Sequence, residues 1–284
     1  MLEAEVRAAL ALHPATRQLA AGPLTVVPGG LSNYAWHTEY EGQRYFVRLG
    51  APEAERMGVD RRSECMLLAT VAAAGLAPAV VACEPASRLL VTRFIAGRHW
   101  QREETRDPRN LRRMGQSLRQ LHSLPLEPGI RPLSFAAQAA QLEAQLAAFD
   151  SGDARVKGAA AQAIADLAQR NEPATLCHND LHHLNVLDDG NRLWLVDWEY
   201  GGCGDPLLDL AGFFCQHDAT PDECRIMLES YGEPSLAGSR SLLAACRLFD
   251  YVQWLWFRLW IATHAGAAGE YAQRAEALAA RLVR

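Results

Sequence analysis

The sequence predicts an α+β protein in two parts, on three observations. Strand-length runs rich in β-branched and aromatic residues are confined to the region before residue 97. Helix-periodic apolar residues dominate from Thr105 onward. Within that helical half, one stretch from Leu176 to Asp209 breaks the pattern with two short apolar runs and a spaced series of His, Asp and Asn residues.

Taken in order, residues 2–20 are expected to form an amphipathic helix that stops before Gly22-Pro23, and residues 24–27 a short strand. Gly29-Gly30-Leu31-Ser32-Asn33 follows, ahead of an alternating run from Tyr34. A glycine pair there makes a tight hairpin whose backbone N–H groups can face phosphate oxygens. Glu41-Gly42 marks the next turn, and residues 43–49 the next strand, with Arg48 on it. Residues 63–74 repeat apolar side chains at helical spacing, carry Glu64 at their start and stop at Gly75. Residues 78–82 and 89–92 read as two more strands, and residues 93–97 as the connection to the second part. Helices are then expected over 107–124, 134–149, 153–170, 206–216, 221–231, 236–264 and 270–283.

Composition excludes several classes. The formal charge is -5, from 28 basic and 33 acidic residues without a basic block, so neither a nucleic acid polymer nor an anionic membrane is expected as a partner. The seven cysteines stand singly with no C-x-x-C pair, so neither a zinc site nor a disulfide framework is expected, and a reducing cytoplasm is the simplest location. Glu3 and Glu5 at the start argue against a secretory leader. No long apolar stretch is free of charge, because Gln253 and Arg258 interrupt the Trp-rich run after Phe249.

In the central stretch, His178-Asn179-Asp180 is followed five residues after Asp180 by Asn185. A turn comes next at Asp188-Asp189-Gly190-Asn191, then an apolar run ending in Asp197. Read as loop, strand, hairpin, strand, this brings Asn185 and Asp197 to one edge, where two oxygen ligands can share a hard cation such as magnesium. Asp180, just ahead, is placed to orient a substrate hydroxyl and accept its proton. If the strand continues past Asp197, alternation along Asp197-Trp198-Glu199 sets Glu199 on the same face as Asp197, as a further metal or water-mediated contact. Cys177, His178, His182 and His183 crowd too closely for a common zinc spacing. Late in the chain, Asp250, Trp254 and Phe257 share one helical face, a carboxylate beside two aromatic rings that suits an ammonium group.

The ordered set His178-x-Asp180-x-x-x-x-Asn185 with Val196-Asp197-Trp198-Glu199 closely resembles the aminoglycoside phosphotransferase and choline kinase superfamily, small-molecule relatives of protein kinases. The resemblance implies a bilobal protein-kinase-like α+β fold. Residues 1–96 would form a nucleotide-binding lobe with a mixed β-sheet, and residues 97–284 a mainly helical lobe for catalysis and acceptor binding. ATP is implied as co-substrate and Mg2+ as cofactor. Gly30, Ser32 and Asn33 correspond to the nucleotide loop, Arg48 to the phosphate clamp paired with Glu64, and Phe94 and Ile95 to the hinge that meets the adenine edge. Asp180 corresponds to the catalytic base, Asn185 and Asp197 to the metal ligands, and Asp209 to a residue that holds loops together, with His178 bracing the catalytic loop. Asp250, Trp254 and Phe257 would bind a small cationic alcohol, choline or ethanolamine. Thiamine kinase and aminoglycoside or sugar kinase are the rival activities. A non-catalytic metabolite binder on the same fold is disfavoured by the presence of Asp180, Asn185 and Asp197.

Overall fold

Pro14 sets the first boundary. In the computed structural model, which describes residues 2–28, 33–52, 54, 58–149, 152–170, 173–264 and 268–283, helix α1 (Leu2–Leu12) ends two residues before that proline. A proline cannot continue the helical ladder, so a separate 3-10 turn, Arg17–Ala21, replaces the second half of the helix expected over 2–20. Five strands follow: β1 (Thr25–Val27), β2 (Asn33–Tyr40), β3 (Gln43–Gly50), β4 (Val80–Glu84) and β5 (Leu89–Arg93), ordered β1-β2-β3-β5-β4. Every pairing is antiparallel. Its own core gathers Val6, Leu10, Leu19, Trp36, Val47, Leu89 and Val91.

Helix α2 (Arg61–Ala73) connects β3 to β4; Asp60 caps it by accepting the Ser63 N–H at 3.0 Å. Its apolar face, Leu67, Leu68 and Val71, joins the larger core of the helical part rather than the sheet's own. A disulfide joins Cys65 of α2 to Cys83 of β4, where the cysteines were expected to stand unpaired. Packing of the helix on the strand sets the two Cα atoms 5.6 Å apart, a proximity that spacing of 18 residues along the chain does not reveal.

The helical part contains α3 (Pro108–His122), α4 (Phe135–Leu146), α5 (Ala154–Ala168), α6 (Pro206–His217), α7 (Pro221–Tyr231), α8 (Arg240–Thr263) and α9 (Ala268–Leu282). Asp107, Ser134, Asp153, Asp205, Thr220 and Ser239 each accept an N–H from the first turn they precede, which explains why the boundaries fall close to those expected. Helix α8 starts four residues late because Gly238, at φ +69°, breaks the run. Among the described residues no helix is long and apolar enough to cross a membrane.

Five short strands lie at the junction: β6 (Arg98–His99), β7 (Thr175–Cys177), β8 (Val186–Asp188), β9 (Leu193–Leu195) and β10 (Gly202–Gly204). They pair as β6-β8-β9 and β7-β10. A Cβ at Gly97 would meet the Asp188 carbonyl oxygen at 2.8 Å, so the chain passes from sheet to helices at a point that excludes a side chain. Gly190, at φ +91°, turns the β8–β9 hairpin where the sequence predicts it.

Candidate active site

The β8–β9 hairpin assembles the site. The Val196 N–H donates to the Asn185 carbonyl at 3.0 Å, which sets Asn185 beside the chain just before Asp197. Strand β9 ends at Leu195, and Asp197 takes φ +63°, a left-handed conformation that Asp tolerates better than most side chains. Trp198 locks this turn, donating its indole N–H to the Leu195 carbonyl at 2.9 Å and packing its ring 4.4 Å from that of His178. The strand alternation expected for Asp197 and Glu199 is therefore broken. Asp197 meets Arg48 at 3.5 Å, whereas Glu199, 2% exposed, accepts from Asn33 at 2.9 Å and Arg61 at 3.1 Å. The turn at Asp197 sends the Glu199 side chain toward α2 and into this ion network, rather than along a continued strand.

The loop between β7 and β8 carries Asp180. Asn185 donates its Nδ2 to the Asp180 carbonyl at 2.8 Å and to Oδ2 at 3.3 Å, so the ligand atom that remains on its amide is Oδ1. Asp209, on the first turn of α6, accepts the N–H groups of His178 (2.8 Å) and Asn179 (2.6 Å); Asn179 itself sits at φ +65°. Burial would raise the Asp209 carboxyl, but His122 at 3.1 Å and these backbone donors hold it below its ordinary value. The His178 Nε2 lies 2.9 Å from the Val196 carbonyl and its Nδ1 accepts the Asp180 N–H at 3.4 Å. Burial, first of all, keeps that ring neutral by lowering its pKa.

On the sheet side, Arg48 Nη2 donates to Glu64 at 2.7 Å and Arg61 Nη1 to the same oxygen at 3.0 Å. Arg61 Nη2 also donates to Asn33 at 2.9 Å. Burial opposes charge on Glu64 and Arg48, yet the pairing wins: Glu64 is held below, and Arg48 above, the ordinary value. The carboxylates facing them behave differently. Burial pushes Asp180 up to about 6. Asp197 is raised as well, by burial and then by Glu199; its side chain keeps 40% exposure to the cleft, but Oδ1 is buried. Arg48 Nε, Glu64 Oε1 and Asp197 Oδ1 are buried with no hydrogen-bond partner among the described residues. A buried carboxylate oxygen with no hydrogen bond, only the 3.5 Å ion pair to Arg48, beside a second oxygen donor fits a hard divalent cation at Asn185 and Asp197.

Arg61 was missed by sequence reasoning, although a signal exists. Two arginines at the N-terminus of a helix oppose its dipole, so their placement calls for a carboxylate partner. His122, Tyr231 and His217, which stand behind the catalytic loop, leave no such local mark. The His122 ring lies between the Tyr231 hydroxyl (2.8 Å) and Asp209.

The other expected positions fall as follows. Gly30 and Ser32 lie outside the described residues, while Asn33 opens β2 in the ion network. At the hinge, the Phe94 N–H is taken by the Arg44 carbonyl (3.1 Å) and the Ile95 carbonyl by the Gly97 N–H (2.9 Å). Among the described residues, the Phe94 carbonyl and Ile95 N–H are the groups left there for an adenine edge. Asp250, Trp254 and Phe257 share a face of α8, but that face is covered. Asp250 is 3% exposed with both oxygens on Arg281 of α9, Trp254 is 1% exposed, and Phe257 stacks on Tyr271. The acceptor face expected there is packed core, because α9 lies over it.

Residues 23–249 match the sequence model of the phosphotransferase enzyme family, APH. The chain belongs to this family. Protein LicA of Haemophilus influenzae is 40% identical over 55 residues, 19% of this chain and 21% of that protein, so the match spans about a fifth of the curated relative. A choline/ethanolamine kinase family protein from Mesorhizobium loti superposes with a TM-score of 0.81 at 25% identity, covering 99% of this chain and 94% of the other. Choline kinase LicA from Streptococcus pneumoniae gives 0.72 at 20% identity over 91% and 94%. The sheet, the helical lobe and the loop between them thus form the bilobal, kinase-like α+β fold.

Proposed function

We propose that the protein transfers the γ-phosphate of ATP to the hydroxyl of choline or ethanolamine. The observation that carries this reading is the convergence of Asp180, Asn185, Asp197 and the Arg48–Glu64 pair on one cleft whose buried polar atoms are short of partners. Family membership supports phosphotransfer, and the likeness to choline and ethanolamine kinases supports a cationic alcohol as acceptor. An ATP-dependent reaction supports the cytoplasm as its location, whereas the Cys65–Cys83 disulfide removes the support that unpaired cysteines gave to it.

In this reading Asp180 accepts the hydroxyl proton while the acceptor oxygen bonds to the γ-phosphorus; the bond to the bridging oxygen breaks and ADP leaves. Asn185 orients Asp180 from one side, and neutral His178 and Asp209 hold the backbone that carries it. Arg48, kept charged and fixed by Glu64, clamps phosphate oxygens. Asn185 and Asp197 would hold magnesium, which supplies charge neutralisation to the phosphates.

ADP release measured over choline, ethanolamine, thiamine, hexosamines and aminoglycosides tests the proposal. Choline or ethanolamine is expected to exceed the others in kcat/KM by about tenfold or more, the scale that one well-matched subsite provides. A preference for thiamine or an aminoglycoside overturns the acceptor assignment, and acceptor-independent ADP release overturns the kinase reading.

A further inference from the structure

One helix holds the catalytic loop at both ends. At the start of the loop, Asp209 accepts two backbone N–H groups. At its end, the His183 N–H donates to Nε2 of His217 at 3.2 Å, and His217 lies on the last turn of the same α6. Asp209 and His217 are eight residues apart, about 12 Å of rigid helix at 1.5 Å per residue. Helix α6 therefore sets the distance between the two backbone points that bracket Asp180.

The His217 ring suits this work in one tautomer. Its Nδ1 lies 2.7 Å from the Phe213 carbonyl, which can only accept, so Nδ1 carries the proton and Nε2 presents the lone pair. The side chain is 2% exposed, with the Phe213 ring 4.5 Å and the His183 ring 5.6 Å away. The end of α6 is fixed in turn: Arg102 donates to the Gln216 carbonyl at 3.0 Å, Arg106 to the His217 carbonyl at 3.3 Å, and the Ala219 N–H bonds the Phe214 carbonyl at 3.0 Å. His183 begins the 3-10 turn His183–Asn185, and the side chain at the end of that turn is the one that reaches Asp180.

We propose that His217 is a positioning residue for phosphotransfer: by accepting the His183 N–H it fixes the 3-10 turn so that Asn185 meets Asp180 and the cation together. The inference rests on the phosphotransferase reading of the site. His217→Phe keeps a ring but has no acceptor, whereas in His217→Gln the Oε1 can stand where Nε2 does. Three readouts are compared well below each variant's Tm: magnesium-dependent binding of a fluorescent ATP analogue, hydrogen exchange of the 178–186 backbone, and kcat against KM. In His217→Phe the loop exchanges faster, apparent magnesium affinity falls by about three- to tenfold, the equivalent of one hydrogen bond, and kcat falls more than the acceptor KM changes. His217→Gln stays near wild type in all three. Wild-type behaviour of His217→Phe, or equal losses in both variants, overturns the inference, since ring packing alone would then account for the residue. If the wild type binds no magnesium-nucleotide, the functional reading fails, and loop exchange in the two variants alone decides the role of His217. Should His217→Phe not fold, His217→Leu takes its place.

Discussion

In the cleft, Arg48 and Arg61 converge on Glu64 and Glu199; in the helical lobe, Arg281 of α9 converges on Asp250 of α8. Both centres bury carboxylates against guanidinium groups, and from composition alone they look alike. They differ in what is left over. Asp250 receives one arginine N–H on each oxygen. Burial raises its carboxyl and Arg281, which also reaches Asp218 at 3.1 Å, opposes that rise. Around Arg48, three buried polar atoms keep no hydrogen-bond partner among the described residues. A buried ion pair with its bonding complete braces the fold, whereas the atoms left unsatisfied around Arg48 are consistent with the phosphate and cation site proposed above.

The largest expected effect is on catalysis. Asp180→Asn should cut turnover by at least about two orders of magnitude while nucleotide binding stays near wild type. Asp197→Asn should lower turnover and weaken magnesium dependence together, because it removes a charged ligand from a hard cation. Steady-state kinetics at stepped magnesium concentrations measure both, and a magnesium profile unchanged in Asp197→Asn would erase the contrast between the two centres.

Reduction of Cys65–Cys83 should destabilise the protein without removing any group of the candidate site. The bond closes a loop of 18 residues. Loop entropy then puts its contribution at about 3 kcal/mol. The measurement is Tm with and without dithiothreitol, repeated in Cys65→Ser. A Tm indifferent to reductant would mean that packing of α2 suffices without the covalent link.

The smallest effect belongs to the complete pair. Arg281→Met should cost about 1–3 kcal/mol, less than a fully buried pair, since Arg281 keeps 40% exposure. Neither kcat nor either KM should change. The deficit should also depend on pH in a defined direction. Without its cation the Asp250 carboxyl, already raised, rises further, so the folded protein keeps a proton that an unfolded carboxyl releases near pH ~4. Stability lost at neutral pH is thus regained as pH falls toward that value. A shifted acceptor KM in this variant would return the α8 face to the active site.

Much of the candidate site's geometry was legible because it is local. The spacing from His178 to Asp197 lies within one loop and one hairpin, and a hairpin brings its ends together in any context. Helix boundaries were legible through Asp107, Ser134, Asp153 and Thr220, whose caps act within a turn. What could not be read is what covers a face. Helical periodicity groups Asp250, Trp254 and Phe257, but only folding brings Arg281, 31 residues on, over them. The same holds for His217 behind His183, for Arg61 beneath Glu199, and for the partners of Cys65 and Glu199. The strand does not continue through Asp197, because of a local conformation, φ +63°, that alternation does not encode.

Helix α2 is tied down on every side described. Cys65 bonds Cys83, Arg61 reaches Glu199 at 3.1 Å, the Ser63 hydroxyl accepts the Arg131 N–H at 2.9 Å, and the Leu76 carbonyl just past its end accepts the Leu195 N–H at 2.7 Å. In protein kinases, moving the equivalent helix makes or breaks the cation–glutamate pair and so switches the enzyme. Here the helix that carries Glu64 is fastened to the sheet and to the helical part alike, so a swing that parts Glu64 from Arg48 has to break several of these bonds together.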